Sequence, residues 1–128
     1  MIETALVTLL NGNAGVNALL GGRIRPLVTP QEMARPNLAY QRISNTRNRA
    51  HTGPSGTQNT RIQLTVQALT YESAKTVMAA IVALLECYQG TVDGIRIDRI
   101  FIENDLDGES SADQSPVARV DLLIGYHE

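Results

Sequence analysis

At 128 residues, 43% apolar and 19% charged, the chain is the size of one domain and apolar enough to fill a core, which excludes wholesale disorder. Its one cysteine, Cys87, cannot close an intrachain disulfide, and no apolar run approaches the ~20 residues of a membrane helix. The net charge of −2 hides a split: seven arginines against one acid leave residues 23–61 at +6, and eleven acids against four cations leave residues 62–128 at −7.

Ile2, Ala5, Leu6, Leu9 and Leu10 recur at helical spacing and predict a first helix over 2–10, ended by Asn11-Gly12. Nothing in this start resembles a secretory signal, because it lacks a basic stretch and an unbroken apolar segment. Asn13 can cap a second short turn carrying Val16, Leu19 and Leu20, which Gly21-Gly22 stops. Pro26, Pro30 and Pro36 make residues 23–36 an extended connector. Residues 37–45 read as a strand of ambiguous face. Residues 60–69 are a clearer one, with Ile62, Leu64, Val66 and Ala68 on one side and Arg61, Gln63, Thr65 and Gln67 on the other. Between them, residues 46–59 are polar, basic and centred on Gly53-Pro54-Ser55-Gly56, and read as a long mobile loop.

Residues 71–88 hold the strongest helix pattern, with Ala74, Val77, Met78, Ile81, Leu84, Leu85 and Tyr88 in one stripe, Thr70 as N-cap and Gly90 as the stop. Residues 92–103 read as a strand whose pattern slips, Ile95 and Ile97 facing one way and Ile100 and Ile102 the other. A bulge near Asp98-Arg99 restores a single buried face. Residues 104–115 read as a polar loop, and 116–126 as a last strand with Ala118, Val120, Leu122, Ile124 and Tyr126 inward. Strands that arrive in pairs predict an α+β fold: a mainly antiparallel four-stranded sheet with helices packed on one face, in the order αββαββ, as a single domain over 1–128.

No phosphate loop, nucleophile elbow, dinucleotide fingerprint or zinc spacing occurs, so no catalytic residue, cofactor or metal is expected. Cys87 reads as a small buried hydrophobe, since neither His51 nor His127 is placed beside it by any local motif. The run Glu103-Asn104-Asp105-Leu106-Asp107-Gly108 resembles the start of a calcium loop. Its twelfth position is Gln114 where such a loop needs a bidentate Glu, and predicted strands flank it. Asp105 and Asp107 therefore read as an acidic turn or an interface charge. Arg47, Arg49 and His51, with Arg42 and Arg61 nearby, could grip phosphates. The chain has a single lysine and no interleaved aromatic residues, and an arginine set pairs equally well with carboxylates on a partner protein. The charge split carries three readings: a nucleic-acid surface, contact between one copy's basic side and the next copy's acidic side, or mixing of the charges by the fold itself.

The succession of segments resembles the tail-completion, or tail-terminator, proteins of long-tailed bacteriophages. The resemblance runs through Val16-Asn17-Ala18-Leu19-Leu20-Gly21-Gly22-Arg23-Ile24, Arg35-Pro36-Asn37-Leu38-Ala39-Tyr40-Gln41-Arg42-Ile43-Ser44 and the basic loop. It continues through Thr60-Arg61-Ile62-Gln63-Leu64-Thr65-Val66-Gln67-Ala68, the Tyr71-Glu72-Ser73-Ala74 helix, the Asp105-Leu106 loop and Arg119-Val120-Asp121-Leu122. It implies a non-enzymatic structural protein of the virion tail, assembled in the host cytoplasm. Such a protein forms a ring with itself, commonly of six copies, which caps the tail tube and meets head connector proteins. The expected interface residues are Arg42, Arg47, Arg49, His51, Arg61, Asp105 and Asp107. A head–tail adaptor and a nucleic-acid module built on Arg42–Arg61 are the alternatives.

Overall fold

The computed structural model describes residues 2–26, 36–50, 53–86, 88–109 and 116–127. Two helices, α1 (Ile2–Gly12) and α2 (Ala14–Leu20), precede three strands, β1 (Ile24–Pro26), β2 (Asn37–Ala50) and β3 (Gly53–Gln67). Helix α3 (Tyr71–Leu85) then leads to β4 (Gly90–Val92), β5 (Ile95–Glu109) and β6 (Pro116–His127). The strands lie in one six-stranded sheet in the order β1-β2-β3-β6-β5-β4. β1 and β2 are parallel and every other neighbouring pair is antiparallel.

The expected mainly antiparallel four-stranded sheet in the order αββαββ is thus corrected to a six-stranded, mixed, curled sheet in the order ααβββαβββ. The two added strands have three residues each, too few for a period-two pattern to show. β1 follows a left-handed Gly21 (φ 57°) that closes α2, and the Leu38 amide bonds back to the Arg23 carbonyl at 2.9 Å. β4 folds back on β5 through Asp93 (φ 51°) and Gly94 (φ 78°). Positive φ at both central residues is the geometry of a two-residue hairpin, and Asp-Gly is among its preferred pairs. Residues 92–103 are therefore a turn and a strand, where the pattern suggested one continuous strand.

Two expected loops are also paired backbone. β2 and β3 continue past Thr46 and Asn59, with Arg47 opposite Gln58 and Ala50 opposite Gly53. β5 runs on to Glu109, with Asp105 opposite Val120 and Asp107 opposite Ala118. A ladder of this kind cannot also curl around an ion as a calcium loop must. The expected bulge is present, because the register of β5 on β6 shifts between Ile97 and Arg99. Ile97 and Ile100, three positions apart, are consequently both fully buried.

The three helices contribute their apolar stripes to the same cluster as one sheet face. Ile2, Leu6 and Leu10 of α1, Val16 and Leu20 of α2, and Val77, Ile81 and Leu85 of α3 meet Leu38, Ile62, Leu64, Val66, Val120, Leu122 and Ile124. Each fully buried aliphatic side chain contributes about 1.5–3 kcal/mol relative to leaving it exposed. Local signals place the helices. The Asn13 Oδ1 accepts from the Val16 amide at 3.0 Å, and the Thr70 hydroxyl accepts from the Ser73 amide at 3.1 Å. Helix α3 stops at Leu85 and not at Gly90, which instead opens β4. Cys87 lies outside the described residues.

Candidate subunit interface

The sheet's second face carries the polar half of each strand. Gln63, Thr65 and Gln67 of β3 are half-buried there, opposite Asp121, Arg119 and Val117 of β6. Arg61 belongs to the same face. Its Nη1 lies 2.7 Å from Glu103 Oε2 on β5 and 3.8 Å from Asp121 Oδ2 on β6, so one guanidinium bridges two strands. The register makes this possible by setting Glu103 opposite Asp121 and Asp121 opposite Gln63, two residues along from Arg61.

Apolar side chains surround this ionic group. Arg61 sits opposite Leu123, and Leu123 opposite Phe101, whose ring is 48% exposed. Ile43, 49% exposed, occupies the bulge beside Arg61, between Arg42 and Ser44. The Arg99 guanidinium lies 5.5 Å from the Phe101 ring centroid. Gly125 leaves space for that arginine's stem, since a Cβ there would meet Arg99 Cγ at 3.3 Å. The result is a row across β2, β3, β6 and β5, Ile43, Arg61, Leu123 and Phe101, in which a single charge is flanked by carbon. Sequence reading missed Ile43, Leu123 and Phe101 because it looked for inward apolar residues. The available signal was apolar residues at outward positions, such as Leu123 between the inward Leu122 and Ile124.

The fold also separates the expected interface residues. Arg42 turns toward α1, where its Nη1 is 3.7 Å from Glu3 Oε1, an oxygen buried without a hydrogen bond. Arg23 donates from Nε to the Pro36 carbonyl at 2.8 Å and from Nη2 to the Leu19 carbonyl at 3.2 Å. Arg23, Arg42 and Arg61 thus have partners within the chain, so part of the charge split is mixed by folding. Arg47 and Arg49 lie on the far arm of the β2–β3 hairpin, level with or beyond Tyr126 at the end of β6. Asp105 and Asp107 lie level with Val120 and Ala118, toward the opposite end of the sheet. His51 is outside the described residues.

At the hairpin end, His127 Nε2 is 2.7 Å from Asp98 Oδ2, and Arg96 Nε is 3.7 Å from Asp98 Oδ1. Among the described residues no cluster of three or more His, Cys, Asp or Glu is placed to hold a metal. A groove of about 270 Å³ between α1, α3 and β4 is lined by Thr8, Leu9, Gly12, Asn13, Leu84 and Val92, none of them ionisable. Among the described residues no helix is long and apolar enough to cross a membrane.

Comparison with known proteins adds a family. The sequence model of the family described as tail completion protein gp17 matches residues 4–126. A chain in a solved structure titled as the virion of a native gene transfer agent particle has a TM-score of 0.73 at 17% identity, covering 98% of this chain and 92% of its own. A second solved structure reaches a TM-score of 0.59 at 17% identity, covering 99% of this chain and 91% of its own. At that identity both establish the fold alone. No curated protein matches.

Proposed function

Because this chain belongs to the tail completion protein gp17 family, and is therefore a structural component of a phage-type virion tail, we propose that it forms a ring of copies that caps the tail tube and joins it to the head. The partners in this reading are further copies of the chain, six as the family resemblance suggests, the tail-tube protein on one side and head connector proteins on the other. The supporting observation is the placement of charge along the sheet. Arg47 and Arg49 occupy register positions at the hairpin end of the sheet, and Asp105 and Asp107 occupy positions toward the other end. A head-to-tail contact brings such unlike patches together, and a rotation that closes turns it into a ring and not a filament.

The test is electron microscopy and mass measurement of the purified chain, alone and with tail-tube protein. Rings that decorate one end of each tube are expected. A chain that stays monomeric at high concentration and leaves tube ends bare defeats the reading.

A further inference from the structure

We infer that neighbouring copies join edge to edge, with residues 41–50 of β2 in one copy pairing antiparallel with residues 98–109 of β5 in the next, so that the sheet runs unbroken from copy to copy. This rests on the ring reading and specifies its contact. Among the described residues, β1 covers the outer edge of β2 only at Leu38, Ala39 and Tyr40. β4 likewise covers β5 only at Ile95, Arg96 and Ile97. No described strand lies along the remainder of either edge. Long unpaired edges are templates for pairing, and folds that need to stay monomeric shorten or cover them.

Charge selects which edge meets which. Residues 41–50 hold no acid and, apart from Arg42, which pairs with Glu3 on α1, carry Arg47 and Arg49. Residues 98–109 hold, apart from Asp98 and Glu103, which pair with Arg96, His127 and Arg61, the acids Asp105, Asp107 and Glu109 against Arg99. Basic-to-basic and acidic-to-acidic pairings repel, so the contact is between unlike edges, which makes it head-to-tail. Direction agrees. The steps from β2 to β3, β6 and β5 are all antiparallel, so β2 and β5 run in opposite senses. A neighbour rotated about an axis roughly parallel to the strands keeps its strand sense, and its β5 therefore meets β2 antiparallel.

Position agrees as well. Arg47 is level with Tyr126 of β6, by way of Gln58, and Asp105 is level with Val120, six residues lower. Sliding the neighbour by those six residues, about 20 Å, sets the free part of β2 beside the free part of β5. The same slide carries β1 past one end of the contact and β4 past the other. Without it, the two short strands block all but five residue pairs, at the levels of residues 121–125 of β6. Spread over the four long strands of each copy, the stagger is about one and a half residues per strand, the order found in closed barrels, where eight strands carry a shear of eight.

The experiment is charge exchange read by sedimentation or mass photometry, on the full chain and with the melting temperature recorded for each variant. Arg47→Glu with Arg49→Glu should lose the ring, as should Asp105→Arg with Asp107→Arg. Mixing these two variants, or combining all four substitutions in one chain, should restore it. Rings that survive either pair of substitutions, or a fourfold variant that folds and stays monomeric, overturn the edge contact while leaving a ring held by another surface. A wild-type chain that forms no ring, with or without tail-tube protein, overturns the ring reading and the contact with it.

Discussion

Tyr126 is the bulkiest of the fully buried side chains, and its hydroxyl has to be satisfied inside the core. It donates to Gln58 Oε1 at 3.1 Å and receives the fully buried Thr60 hydroxyl at 3.4 Å. Tyr126→Phe keeps the ring and removes this link, so it should cost about 1 kcal/mol and lower the melting temperature by about 3–5 °C. Tyr126→Ala also opens a cavity and should cost about 3–5 kcal/mol. Equal losses in the two variants, measured by urea unfolding, would place the energy in the hydrogen bonds and not in the packing. Arg61 contrasts with this. Its carboxylate partners are close, but the group is about a third exposed. Arg61→Ala should therefore change stability by only about 0–1 kcal/mol. Thermal melts of Arg61→Ala and Tyr126→Phe run side by side check that ranking.

At the scale of elements, caps and turns hold the edges of the fold. Thr70→Ala removes the acceptor for the Ser73 amide and should cost about 0.5–2 kcal/mol. Gly94→Ala forces a side chain into φ 78°, at a cost of roughly 1 kcal/mol, and should let the amides that bond β4 to β5, those of Gly90 and Val92, exchange faster without melting the central strands. Uniform exchange across the sheet would contradict this placement of the strain. These are also the signals that made the fold legible in advance. Asn13, Thr70 and the Ile95–Ile102 slip each name a local geometry that depends on few residues, and the structure has all three. Legibility failed where strands lack an apolar face. The hairpin arm around Arg47 and the stretch around Asp105 are held by backbone ladder bonds that polar residues make equally well, so hydrophobic alternation cannot reveal them. The same blindness hid the outward Phe101 and Ile43, and it made residues paired by the register look like loop charges.

For the whole molecule, ionic strength separates the two surfaces that could hold copies together. The β2 and β5 edges carry opposite net charge, whereas the row through Ile43, Leu123 and Phe101 is an apolar patch around an internally paired arginine. Screening shortens the reach of charge from about 10 Å at 0.1 M salt to about 3 Å at 1 M, and salts such as sulfate strengthen apolar burial. If the edges carry the contact, the concentration at which rings form should rise roughly tenfold, about 1.4 kcal/mol per contact, between low salt and 1 M sodium chloride. Monomer stability should barely move, because the core is aliphatic and Arg61 contributes little. Analytical ultracentrifugation across a salt series, paired with thermal melts in the same buffers, measures both quantities. Rings that tighten in sulfate would instead assign the contact to the apolar row, with Phe101→Ser as the variant that then dissolves them.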